Sequence, residues 1–189
     1  MSKNKVKYGI CNVHYAKATE GEDGAITYGV PVKLPGAKSL TVSPKGESSE
    51  FYADNILYWK SPGVSGYEGT LDVALLPDEF SVDILGDVKD ENGNIMEKNL
   101  AQTSPFALLF QFEGDVKATR HCLYYCTASR PELSGETVEA TVSPGTESLS
   151  FAASARPDNG NVKYRTTPES TNYDTWFNEV PEPPTASEG

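Results

Sequence analysis

Apolar and polar positions alternate along most of this chain with a period of two, the pattern of strands that bury one face. Val6 to Ala18 carries Tyr8, Ile10 and Val13 among small and polar residues. Gly21-Glu22-Asp23-Gly24 breaks it, and Ile26 to Leu34 resumes as a second strand in which Pro31 and Pro35 limit pairing. Ala37 to Ser43 and Thr70 to Leu75 repeat the pattern, the latter with Leu71, Val73 and Leu75 on one side. Phe106-Ala107-Leu108-Leu109-Phe110-Gln111-Phe112 is a continuous apolar run and predicts a buried central strand. It turns at Gly114-Asp115 into Val116 to Ser129, where Cys122, Tyr124 and Cys126 alternate against Leu123, Tyr125 and Thr127. Further strands are expected over 137–143, 149–155 and 162–167, with Asp158-Asn159-Gly160 as a tight hairpin turn between the last two.

Two stretches change period. Leu76, Phe80 and Ile84 recur every four residues, with Asp78 and Glu79 placed for the first turn of a helix and Gly86 for its left-handed cap. Tyr173, Trp176, Phe177 and Val180 fall at i, i+3, i+4 and i+7, the face of a second short helix, which Pro181-Glu182-Pro183-Pro184 ends. The segment 181–189 is expected to be a disordered tail. Between the strands, 44–69 keeps no clear period yet clusters Phe51, Tyr52, Ile56, Leu57, Tyr58 and Trp59, with Tyr67 further on. A long aromatic segment of this kind predicts either an arm for contact with another molecule or a hairpin folded on its own core. The fold expected is mostly β with one or two short helices, a single domain over 1–180 that carries a long extended arm.

The segment Thr41-Val42-Ser43-Pro44 returns as Thr141-Val142-Ser143-Pro144, and eight of thirteen positions match between 41–53 and 141–153. Two similar strand–turn–strand units packed as a pseudo-symmetric pair are expected from this; convergence on one useful turn is the alternative.

Composition narrows the function. The apolar share of 38% is enough to build a core. The formal net charge of −11 leaves no cationic surplus with which to displace counterions from a phosphate backbone, so tight nucleic-acid binding is not expected. Cys11, Cys122 and Cys126 are odd in number, so they cannot form a complete disulfide set. On one strand the latter two would lie roughly 13 Å apart at about 3.3 Å per residue, too far to bond. The first residues, Met1-Ser2-Lys3-Asn4-Lys5, contain no apolar leader core, and production in the cytoplasm is the expectation. His14 and His121 are the only histidines. His121-Cys122-x-x-x-Cys126 has superficial metal-ligand spacing, but a strand sends His121 and Cys122 to opposite faces, so no metal and no cofactor are expected. Phosphate loops, nucleophile elbows and zinc-protease motifs do not occur in the sequence. The chain is not expected to be an enzyme.

The order of parts carries one resemblance. An N-terminal strand pair is followed by the arm with Phe51-Tyr52-Ala53-Asp54-Asn55. An alternating strand then enters Leu76-Pro77-Asp78-Glu79-Phe80 and ends at Ile84-Leu85-Gly86. Next come Pro105-Phe106-Ala107, Cys122-Leu123-Tyr124-Tyr125 and Trp176-Phe177-Asn178-Glu179-Val180. In this order and spacing, over roughly 5–180, the chain resembles the major tail protein (tail-tube protein) family of long-tailed bacteriophages, the siphophages, and related prophages. The resemblance implies a tail-tube-like β-sandwich or half-barrel and a structural role in the virion tail. Homohexameric rings would form in the host cytoplasm and stack into a tube. Tape-measure and tail-terminator proteins would be partners, and DNA would be non-specific cargo in the lumen. The arm residues Phe51, Tyr52, Asp54, Tyr58, Trp59 and Tyr67 would then make inter-subunit or inter-ring contacts, and Glu68, Asp72, Glu113 and Asp115 would face the lumen. A β-sandwich module for glycans or surface ligands, using Tyr52, Tyr58, Trp59 and Tyr67, is the alternative from another class.

Overall fold

The computed structural model describes residues 8–46, 49–53, 55–61, 63, 65–133, 135, 137 and 145–183. Its strands are β1 (Ile10–Glu20), β2 (Ile26–Tyr28), β3 (Val32–Lys33), β4 (Ala37–Lys45), β5 (Ser49–Ala53), β6 (Ile56–Ser61), β7 (Gly66–Val73), β8 (Val88–Lys89), β9 (Ile95–Met96), β10 (Phe106–Phe112), β11 (Arg120–Ala128), β12 (Glu147–Ser154) and β13 (Lys163–Thr166). One α-helix, α1 (Asp78–Asp83), lies among them. The mostly-β character expected from the alternation is present. The principal sheet is antiparallel, runs β2-β1-β10-β11-β12-β7-β4, and does not close into a barrel; β3 adds to β1 and β13 to β11.

Two apolar layers explain which side chains alternate and which do not. Val13, Tyr15, Phe106, Leu108, Phe110, Leu123, Leu71, Val73, Leu149 and Phe151 form the main core with Phe80 and Ile84 of α1. On the other side of β1, β10 and β11, Ala16, Ala107, Leu109, Cys122 and Tyr124 are covered by Trp176 and Val180. A strand covered on both faces needs no polar positions, hence the unbroken apolar run of β10. Each fully buried large side chain here contributes about 1.5–3 kcal/mol of transfer free energy.

Several expectations shift in register. The second expected strand divides at Pro31 into β2 and β3; both pair with β1, where the Gly29 N–H reaches the Lys17 carbonyl at 2.9 Å. Leu75 is exposed, because the chain leaves the sheet at Val73. Helix α1 is shorter than expected. Pro77 is its N-cap, with extended backbone and no capping side chain, and Gly86 (φ +79°) lets the Asp87 N–H reach the Ser81 carbonyl at 3.1 Å. The apolar face of 173–180 packs as expected, but the backbone makes successive turns in place of a helix, each with an i→i−3 bond such as Trp176 N–H to Tyr173 carbonyl. Thr, Asn and Asp within this segment are weak helix formers.

Cys122 and Cys126 do not share a face. Between the pairs Leu108↔Leu123 and Phe106↔Cys126, β11 holds one residue more than β10, so Cys126 lies in the main core while Cys122 faces Trp176. All three cysteines are free thiols. The Asp158-Asn159-Gly160 turn forms, with Gly160 at φ +73° and the Arg156 N–H on the Asn161 carbonyl, yet it does not make a hairpin. β12 pairs with residues 125–128 of β11 and β13 with residues 120–123, end to end along one edge.

Among the described residues the two copies of the repeat are paired differently. β5 pairs with β6, whereas β12, its counterpart in the repeat, lies between β11 and β7. The earlier part of the second copy, 138–144, and with it most of the strand expected at 137–143, lies outside the described residues. At the other end, Pro181 and Glu182 are packed, contrary to the expected tail: Tyr124 Oη donates to the Pro181 carbonyl at 2.7 Å and Arg156 holds Glu182. Residues 184–189 lie outside the described residues.

Candidate assembly surfaces

The segment expected to be an arm is a β-hairpin with narrower bounds. Pro44 and Lys45 belong to β4 and Gly66 to Gly69 to β7, and the Lys45↔Gly66 pair closes the β4–β7 ladder. Between them, among the described residues, β5 and β6 pair with each other and with no strand of the principal sheet. Asn55, at φ +62°, makes the turn. Ile56, Leu57 and Tyr58 follow it and are 62%, 47% and 73% exposed. Consecutive strand residues point to opposite faces, so both faces of the hairpin present apolar surface to solvent.

Of the residues expected in the arm, Phe51 and Tyr52 fall in β5 and Tyr58 and Trp59 in β6. Asp54 lies outside the described residues. Tyr67 is not in the arm. It sits half-buried on β7 against the main core, with the Lys163 ammonium 5.2 Å above its ring.

The four carboxylates proposed for a lumen lie on two elements. Glu68 and Asp72 stand on the side of β7 turned away from the core, while Glu113 follows β10 and Asp115 sits in the turn to β11. On β7 they belong to a polar lattice. Ser43, Glu68 and Ala152 are in register across β4, β7 and β12, as are Thr41, Thr70 and Ser150, and Ser39, Asp72 and Ser148. Asp72 accepts hydrogen bonds from Ser148 Oγ at 2.6 Å and Ser39 Oγ at 2.5 Å, which hold its carboxyl below the usual range. A groove of about 460 Å³ crosses this face beside Glu68, Thr70, Thr127 and Ser150. Asp115 is engaged in its own turn, accepting from the Lys117 and Thr119 N–H groups at 3.0 Å.

A second groove, of about 510 Å³, opens where β4 approaches β1. Its lining includes Ile10, Phe110 and Phe112 together with Lys38 to Val42 of β4. Among the described residues β4 pairs only with β7, at the end of the strand order. The sequence reading did not single this strand out. Pro44 inside it was the available signal, since proline within a strand marks an edge.

A charged cluster was also missed. Arg156 is 4% exposed and bridges Asp158 Oδ2 at 2.7 Å and Glu182 Oε1 at 2.6 Å, and it donates to the Ile26 carbonyl. It ties β2, the 156–161 turn and the segment after Val180 together. These partners account for the cluster as a structural tie.

Among the described residues no group of three or more His, Cys, Asp or Glu side chains gathers to hold a metal ion. His121 is stacked on Phe110 at 5.1 Å, with Cys122 turned to the other layer. No described helix is long and apolar enough to cross a membrane. No protein-family model matches the chain, and no characterised protein matches it in sequence.

Proposed function

We propose that this chain is a structural subunit that assembles with copies of itself, as hexameric rings stacked into a tube of the kind found in siphophage tails. The observation that carries the proposal is the β5–β6 hairpin, which leaves Ile56, Leu57 and Tyr58 in water while pairing with no strand of the principal sheet. Apolar surface on both faces of a projecting element is costly in an isolated molecule and is removed from water by a neighbouring subunit. The edge of β4 that no described strand covers supports the same reading. Repetition of one contact by identical subunits satisfies both.

In this proposal the hydroxyl and carboxylate rows of β4, β7 and β12 suit a surface along which DNA slides. Glu68 and Asp72 repel phosphate, and the Ser39 and Ser148 hydroxyls already donate to Asp72. Tape-measure and tail-terminator proteins would be the further partners, and the virion tail the site of function, on the resemblance alone. Negative-stain electron microscopy of the concentrated protein tests the proposal. Rings or tubes are expected; a monomer under every condition, including with tail partners, overturns it.

A further inference from the structure

The tripeptide Asn-Gly-Asn occurs twice, at 92–94 and at 159–161, and no other asparagine precedes a glycine. An asparagine before glycine is chemically labile, because no Cβ on the following residue keeps its backbone nitrogen from the side-chain carbonyl carbon. Both pairs are exposed, and a Cβ at Gly93 or Gly160 would meet nothing within 4 Å. Access therefore does not tell them apart. What holds each glycine nitrogen does. Attack requires the nitrogen to give up its turn bond, which for Gly93 runs to the Asp90 carbonyl at 3.1 Å and for Gly160 to the Arg156 carbonyl at 2.9 Å.

At 159 the turn is braced from several directions. Asn159 Oδ1 accepts from the Asn161 N–H at 3.0 Å, the Arg156 N–H reaches the Asn161 carbonyl at 2.9 Å, and Asp158 accepts from the buried Arg156 guanidinium and from the Ile26 N–H. At 92 the turn joins β8 to β9, two strands of two residues that pair only with each other among the described residues. Asp90 Oδ1 holds the Asn92 N–H at 2.9 Å, but among the described residues nothing bonds the Asn92 side-chain amide. A two-stranded pair this short is marginal and opens locally, which frees the Gly93 nitrogen. We infer that Asn92 is a site of spontaneous deamidation in the folded chain, converting ahead of Asn159. The Gly93 nitrogen gives its proton to solvent and bonds to Asn92 Cγ. The Cγ–Nδ2 bond breaks, and the amide nitrogen takes up a proton and leaves as ammonia. One water then opens the cyclic imide at either carbonyl carbon, leaving aspartate or isoaspartate with no change of oxidation state. Either product adds a negative charge beside Asp90 and Glu91. Isoaspartate also lengthens the main chain by a methylene, so the Gly93 N–H no longer meets the Asp90 carbonyl and β8 parts from β9. The damage stops there. The Ser104 N–H on the Ile84 carbonyl at 2.8 Å, with Arg130 on the Leu85 carbonyl at 3.1 Å, closes the excursion at its base.

Peptide mapping by mass spectrometry tests this on the full chain, aged for weeks at mildly alkaline pH in buffer and in concentrated urea. The two Asn-Gly peptides are followed for the mass gain of amide-to-acid conversion. In urea, where neither turn persists, the two asparagines are expected to convert at equal rates. In the folded chain Asn92 is expected to lead by about tenfold, the ratio in which the two turns open. Equal conversion in the folded chain, a lead for Asn159, or conversion at neither site overturns the inference. A lead for Asn92 that is just as large in urea overturns it as well, by tracing the difference to local sequence and not to the fold. The aged chain is expected to keep the thermal midpoint of the fresh one; a lower midpoint that tracks conversion at Asn92 overturns the confinement of the damage to β8 and β9.

Discussion

At the residue scale, Gly69 shows how closely β4, β7 and the core are fitted. A Cβ there would lie 2.4 Å from the Thr41 carbonyl oxygen and 2.6 Å from Phe151 Cζ. The first atom is backbone in a paired strand and the second belongs to a buried ring, so neither yields cheaply. Gly69→Ala is expected to lower stability by about 2 kcal/mol, the range of core overpacking, with its midpoint shifted in a urea titration. Full stability in the alanine variant would mean that β4 can slide away from β7. The neighbouring Thr70 faces outward, and an alanine there lacks this cost. Gly69 belongs to the inward row with Leu71 and Val73.

At the element scale, the hairpin is separable from the principal sheet, as the small β8–β9 pair also is. Its ladder is internal, and Lys45↔Gly66 already closes β4 onto β7 at its base. Replacing 46–65 with a two-residue Asn-Gly turn is therefore expected to leave a folded monomer while abolishing higher assembly. Shortening the loop about tenfold contributes roughly 2 kcal/mol through loop closure, so the thermal midpoint should not fall. A molten chain after excision would show that the hairpin supports the core; sizing chromatography with a thermal melt distinguishes the cases. The same scale marks what was legible in the sequence. The run Phe106 to Phe110 announced a doubly covered strand because no polar residue interrupts it. Tyr173, Trp176 and Val180 announced their buried face, but not the turns that present it, since spacing constrains direction more than backbone path. The Asn159-Gly160 turn is local chemistry and formed as expected; which strands flank it is decided by β11, tens of residues away. The extra residue in β11 carries no marker, so the parting of Cys122 from Cys126 could not be read. The arm was visible as an aromatic cluster, whereas its ends were set by pairings of Pro44 and Gly66 that composition does not reveal.

At the scale of the whole molecule, the Arg156 cluster couples stability to acidity. The Arg156 guanidinium beside Asp158 holds that carboxyl below its ordinary range, with help from the Ile26 N–H. A carboxyl whose folded pKa is depressed contributes stability above its unfolded value of about 3.9, and the contribution is lost as pH falls through the folded pKa. Asp158→Asn is therefore expected to cost about 2 kcal/mol at pH 7, and the gap to the parent chain should close as the pH falls below about 4. Urea titrations across pH 7 to pH 2 measure it; a gap that stays constant would show that charge is not what Asp158 supplies. Asp72, held low by Ser148 and Ser39, moves in the same direction.

The pairing of β1 with β10 carries a consequence in time. Ile10 must wait for Phe112, and Asn12 Nδ2 for Gln111, ninety-nine residues along the chain. Contacts of such separation place folding in the millisecond-to-second range, whereas an isolated hairpin such as β5–β6 closes in about 1–10 μs. The hairpin is thus ready early, and the sheet that carries it is completed later. During that interval hairpins have no complete neighbour to join. Under the proposed self-assembly, polymer growth would be paced by completion of the sheet and not by the supply of hairpins, and a lag that lengthens when folding slows would be its kinetic mark.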